Sequence, residues 1–177
     1  DAVAEMAPEA STAKVRVLHG PPDAPNVDVY ANGAAVLTDV PFGAVSEYPE
    51  VPAGEYQIQV FAAGADPAAG GAVIDATLTF EAGTMTTVAA TNNLAAIEAQ
   101  VIADAPAPTA DGAQIRVVHL SADAPAVAIA PDATPKKPII KKLAYPKASK
   151  YLSVPAGEYD LQVQVAGKPK QVALDLD

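Results

Sequence analysis

The sequence predicts an all-β protein built as two tandem immunoglobulin-like or transthyretin-like antiparallel β-sandwiches, the second of them incomplete. Three observations carry this reading. Apolar and polar residues alternate along several short runs, turn residues punctuate those runs, and five blocks of the first half recur in the same order in the second.

Alternation with a period of two marks a strand with one face buried and one wet. Val15, Val17 and His19 share one face of the first run, with Arg16 and Leu18 on the other. Val27, Val29 and Ala31 alternate with Asp28 and Tyr30 in the next. Asn32-Gly33 is a two-residue hairpin signal between Val27–Ala31 and Ala35–Thr38. Pro52-Ala53-Gly54 is a second turn, in which proline presets φ and glycine supplies positive φ. It leads into Tyr56–Ala62, where Tyr56, Ile58 and Val60 alternate with Gln57 and Gln59. Ala82-Gly83 separates Ala76–Phe80 from Thr84–Ala90, and a last strand is expected over Ala95–Ile102.

Composition agrees. Half of the 177 residues are apolar, but much of that is alanine, and the aromatics are six Tyr, three Phe and no Trp. The core must therefore come from Val, Ile and Leu. Seventeen Pro and eleven Gly lie in turn-like contexts, which suits many short strands. No apolar run approaches the ~20 residues of a membrane-spanning helix. The absence of Cys excludes disulfides and cysteine-based metal or nucleophile chemistry.

The repeat fixes the domain organisation. Lys14–His19 matches Gln114–His119, and each His is followed by an Asp-Ala-Pro turn, Asp23–Pro25 or Asp123–Pro125. Asn26–Tyr30 matches Ala126–Ala130, Ser46–Tyr48 matches Ser149–Tyr151, and Val51–Tyr56 matches Val154–Tyr159. The expected domains are an N-terminal spacer over 1–12, a first sandwich over 13–103, a Pro-rich linker over 104–112 and a second sandwich over 113–177. The segment Val172–Asp177 answers to Ala72–Asp75, and nothing answers to Thr77–Ile102. Three explanations stay open: a chain that continues, a strand supplied by a partner, or a reduced topology that uses the N-terminal residues.

Together these blocks resemble a widespread bacterial and archaeal domain family of unknown function. Its signature here is Val15–His19, Asp23–Tyr30, Val36–Gly43, Ser46–Tyr48, Val51–Tyr56 and Asp75–Thr79. The resemblance covers about 90 residues of the first repeat and the first two thirds of the second. It departs at Ala126–Pro131, in the Lys-rich insert and at the end. Members are secreted or surface-anchored, often occur in tandem and often accompany fasciclin-type adhesion domains. The resemblance therefore implies an extracellular or cell-surface location and a fold, but no reaction. The start at Asp1, small and acidic without an initiator Met, reads as a mature terminus after signal removal or as a trimmed chain.

No catalytic constellation stands out, and the chain is expected not to be an enzyme. His19 and His119, each four residues before an Asp, are the only histidines. Two ligands are too few for structural zinc, so His19, Asp23, His119 and Asp123 are read as structural ties of the Asp-Ala-Pro turns, with neither metal nor cofactor. Ser46 and Ser149 lack a nucleophile elbow and are read as strand-edge hydrogen-bonding groups. Tyr48, Tyr56, Tyr151 and Tyr159 are expected to pack at corners, each hydroxyl on a backbone group. Scattered acidic residues form no calcium loop, and a net charge of −10 argues against nucleic acid.

Charge is split along the chain. Residues 1–105 hold 14 acidic and 2 basic residues, whereas residues 106–177 hold 7 and 9. Lys136, Lys137, Lys141, Lys142, Lys147 and Lys150 cluster in one stretch, either a solvated loop or a basic surface that meets the acidic half of another copy. Two functions are therefore expected of the sequence. The first is an extracellular scaffold or filament subunit that self-associates or joins another surface protein, head to tail and with strand complementation. The second is an adhesin-like module for carbohydrate or protein.

Overall fold

The computed structural model describes residues 11–105 and 112–176. The expected spacer over 1–12, apart from its last two residues, and most of the expected linker over 104–112 lie outside the described residues. The chain divides into two units, Asp1–Pro106 and Ala107–Asp177, and the regular structure of the described residues is strands with two short 3-10 turns and no α-helix.

Unit 1 has eight strands: β1 (Thr12–His19), β2 (Val27–Ala31), β3 (Ala34–Val40), β4 (Glu50–Pro52), β5 (Gly54–Ala62), β6 (Ile74–Phe80), β7 (Met85–Thr91) and β8 (Glu98–Asp104). They form two four-stranded sheets, ordered β4-β1-β7-β8 and β3-β2-β5-β6. The sheets share one core. Ala13, Val88 and Ala90 come from the first, and Val27, Val29, Ile58, Val60, Ile74 and Phe80 from the second. The alternation read from the sequence places these residues inward. The Asn32-Gly33 turn forms with φ of 49° and 79°, the double positive φ of a type I′ hairpin, which matches the twist of the flanking strands. The last strand starts later than the sequence suggests, because Leu94–Ala96 form a short 3-10 turn ahead of it.

One pairing departs from the antiparallel expectation. β1 runs parallel to β7, from Lys14 opposite Met85 to His19 opposite Ala90. Parallel neighbours need a long crossover rather than a hairpin, and here the crossover includes the entire second sheet. The end of the pairing depends on a missing side chain. The Gly20 N–H donates to the Ala90 carbonyl at 3.0 Å, and a Cβ at Gly20 would stand 2.6 Å from that oxygen.

Asp28, on the outer face of β2, closes two turns. Its Oδ1 accepts the Asp39 N–H at 2.7 Å and its Oδ2 the Gly64 N–H at 2.9 Å. Asp39 has φ of 53°, so this bond holds a residue in the left-handed region. The Asp39 bond first, and then the Gly64 bond, hold the carboxyl below its ordinary range.

Unit 2 contains β9 (Ala113–Ile115), β10 (Val118–His119), β11 (Val127–Pro131), β12 (Ile140–Leu143), β13 (Lys147–Ala148), β14 (Leu152–Val154), β15 (Leu161–Val165) and β16 (Lys168–Leu176). The sheet β12-β11-β15-β16 repeats the order β3-β2-β5-β6. The pairs β9–β14 and β10–β13 stand where β1 meets β4 and Val45. Val127, Ile129, Ile140 and Leu143 form the core, with Val117, Leu152, Leu161 and Val163 against it. The described residues of unit 2 include no counterparts of β7 and β8. Residues of the Lys-rich insert fold over the outer face: Gln162 donates to Asp132 at 3.0 Å and Gln164 to the Pro135 carbonyl at 2.9 Å.

Two outcomes follow for unit 1. Gly20→Ala destabilises it by about 1–3 kcal/mol through overpacking against the Ala90 carbonyl, read as a lowered denaturation midpoint. The folded carboxyl of Asp28 has a depressed pKa, so its stabilisation is complete above the ordinary carboxylate range and is lost as pH falls through the folded value. Asp28→Asn therefore destabilises unit 1 at neutral pH, and an acid denaturation series shows the gap from wild type closing as pH falls.

Candidate functional site

The two histidines occupy matched positions and have different surroundings. His119 is buried, with Nε2 3.0 Å from the Pro125 carbonyl and the Ser121 N–H 3.3 Å from Nδ1. One neutral tautomer satisfies both contacts, with Nε2–H donating and Nδ1 accepting. The ring stands edge-on to Tyr145 at 6.2 Å. His119 thus binds the Asp-Ala-Pro turn through its proline carbonyl, and the Asp123 side chain takes no part in that contact.

His19 is fully buried, and neither ring nitrogen has a hydrogen-bond partner among the described residues. The tie expected between His19 and its turn is not formed. One of the two partners is removed by the sequence: Pro21 stands in the place of Ser121 and has no N–H to give. Asp23 is engaged elsewhere, its Oδ1 accepting the Leu94 N–H at 3.0 Å. It fastens the connection between β7 and β8, which has no counterpart among the described residues of unit 2.

The serines bridge backbone groups. Ser46 accepts the Val17 N–H at 2.9 Å and donates to the Glu47 carbonyl at 2.8 Å. Ser149 repeats this with Val117 at 3.0 Å and Lys150 at 2.8 Å. Tyr56 donates to the Pro52 carbonyl at 2.8 Å, and Tyr159 to the Pro155 carbonyl at 2.7 Å. Each hydroxyl reaches back four residues and locks the Pro-Ala-Gly corner.

A feature absent from the sequence reading joins the strands of the first sheet. The Arg16 guanidinium lies 4.6 Å from the centroid of the Tyr48 ring and donates to Thr87 at 2.8 Å. Thr87 donates in turn to Asp104, and Tyr48, expected to reach a backbone group, donates instead to the same carboxylate oxygen at 2.7 Å. Unit 2 repeats the ring contact, with Arg116 4.7 Å from the centroid of Tyr151. The signal was present as an Arg and a Tyr at matched positions of two blocks. Burial first, and then Asp104, raises the Tyr48 hydroxyl above its ordinary range, against the opposing effects of Thr87 and Arg16.

All six lysines of the insert are exposed, two of them on β12 and one on β13. The uncovered face of unit 2 is a second feature. Leu174 lies opposite Val163 as Ile74 lies opposite Val60, yet Ile74 is 6% exposed and Leu174 is 56% exposed. Val172 and Leu176 on the same strand are also exposed. Among the described residues no three His, Cys, Asp or Glu side chains converge as metal ligands, and no helix is long and apolar enough to cross a membrane.

The family described as Domain of unknown function (DUF4397) matches residues 13–130, that is, unit 1 together with the chain through most of β11. No curated protein matches the chain.

The raised value at Tyr48 predicts alkaline behaviour. Its stabilising share is fully present below the ordinary tyrosine range and is lost as pH rises through the higher folded value. Tyr48→Phe removes that alkaline loss from the pH profile of unit 1 unfolding while keeping the ring beneath Arg16.

Proposed function

From the premise that the chain belongs to the DUF4397 family of unknown function, we propose that it is a non-catalytic assembly protein of a bacterial or archaeal cell surface, whose second unit is covered by strands of a neighbouring molecule. The observation that carries this reading is the contrast at one register position between buried Ile74 and exposed Leu174. An inner sheet face that leaves Leu174 and Leu176 in water, opposite Val163 and Leu161, is an association surface. Strand addition along an open edge supplies backbone hydrogen bonds, and pockets for alternate side chains supply selectivity.

The geometry restricts the guest. In unit 1 the covering strand runs parallel to β1 as far as the Ala90 carbonyl, and it gets there only because residue 20 is glycine. Unit 2 has Leu120 at that place. A guest strand can therefore follow β9 in the manner of β7 but must leave the edge before Leu120. Charge favours a second copy as the neighbour: unit 2 displays six exposed lysines, and residues 1–105 carry a formal charge of −12 from 14 acidic and 2 basic residues. A head-to-tail contact of this kind is heterologous and propagates when its rotation does not close.

The non-catalytic part rests on how the reactive groups are used. Both serine hydroxyls bridge backbone groups, His119 has both nitrogens engaged, and His19 is buried with no serine or carboxylate bonded to it among the described residues.

Sedimentation of the full chain at rising concentration and low salt is expected to show growing assemblies that dissolve in high salt. Leu174→Glu is expected to keep the monomer folded and abolish assembly. A wild-type chain that stays monomeric across the series overturns the proposal.

A further inference from the structure

We propose that unit 1 is also a receptor for a small, neutral, hydrophobic alcohol or phenol, held between its two sheets with the hydroxyl on His19. This inference concerns unit 1 by itself and is independent of the assembly reading.

The observation is a space in the core. Protein interiors are packed like organic crystals, with few voids larger than a water molecule. Between the sheets of unit 1 lies a cavity of about 320 Å³. Its walls include Val17, Val29, Leu37, Phe80 and Val88, and His19 is among them. An apolar cavity of ~150 Å³ stays dry and takes up benzene. This one is about twice that size, so it has room for a fused bicyclic ring or a medium-length alkyl chain.

The cavity can be entered. β3 and β4 are edge strands of their respective sheets, and both contribute to the lining, through Val36 and Leu37 and through Val51. Val36 is at the same time 53% exposed, so the lining reaches solvent along β3.

The polar contact is His19. A buried imidazole with neither nitrogen bonded is an expensive arrangement, because both groups have lost water and gained nothing in return. The matched histidine shows what a satisfied copy looks like: His119 uses the Pro125 carbonyl and the Ser121 N–H. Pro21 removes the second of these partners from His19. A neutral imidazole offers one donor and one acceptor, and a hydroxyl can complement either. A carboxylate or an ammonium group would have to leave water for apolar walls, at a cost that a single neutral imidazole does not offset. The chemistry therefore selects a neutral ligand with one hydroxyl on an apolar body.

The test is titration of the full chain with 2-naphthol, with naphthalene and 2-naphthoate as comparison probes, followed by calorimetry and by amide chemical shifts. The expected result is saturable 2-naphthol binding, with shift changes centred on the lining strands and about tenfold tighter than naphthalene. His19→Phe is expected to remove that preference while naphthalene still binds. Ala31→Phe, which fills the cavity from β2, is expected to abolish binding of both. Should either variant fail to fold, the shift map and probe ranking of the wild-type chain decide alone. Absence of saturable binding, equal affinity for naphthol and naphthalene, tightest binding of naphthoate, or shifts away from the lining would each overturn the proposal.

Discussion

The pairing of β1 with β7 organises everything else in unit 1. It is the one parallel contact among its named strands, and it joins the first strand to one that arrives after the other sheet has been completed. Through it, β8 is carried to the edge where it meets β6 and closes one side of the sandwich. The opposite side, between β3 and β4, is left as the way into the core. The burial of Ile74 and the closure of Asp23 onto Leu94 both follow from the presence of this late pair of strands. The network of Arg16, Tyr48, Thr87 and Asp104 fastens the same strands from outside, so the parallel seam is held on both faces of its sheet.

Unit 2 shows what the same sequence blocks do without that seam. Its four-stranded sheet keeps the order and register of its counterpart, because hairpin alternation and the Tyr159 corner are local. Its other layer is reduced to two short pairs. The apolar face that the late strands cover in unit 1 is wet here along β16, while the outer face is sheltered by the insert that binds Gln162 and Gln164. The inner face stays buried at Val127, Ile129, Ile140 and Leu143, so the exposure is confined to β16.

Much of the fold was legible because its signals are short-range. The Asn32-Gly33 turn, the period-two runs and the Pro-Ala-Gly corners each encode a local geometry, and the register of the repeats carried that geometry into unit 2. The roles of Ser46 and Ser149 were legible for the same reason. What escaped depends on distant partners. Nothing near Arg16 in sequence announces Thr87, and nothing near Asp23 announces Leu94. The parallel direction of β7 is a property of the whole topology. At His19 one lost contact sits in a single neighbour, since Pro21 has no N–H where Ser121 has one, whereas the lost carbonyl contact leaves no mark in the sequence, because Pro25 matches Pro125. The cavity was hidden too, since a void is the sum of many side-chain volumes and leaves no motif.

The glycine at position 20 bears on how such repeats can be rebuilt. An engineer wishing to turn unit 2 into a second closed sandwich would graft residues 77–105 after residue 176, and the graft would stall at the sixth rung, the level of Ala90. Leu120 would meet the incoming carbonyl just as a Cβ at Gly20 would meet that of Ala90. The exchange Leu120→Gly would have to accompany the graft. One side chain thus acts as a gate on modular growth, setting how far along an existing unit a further strand can pair.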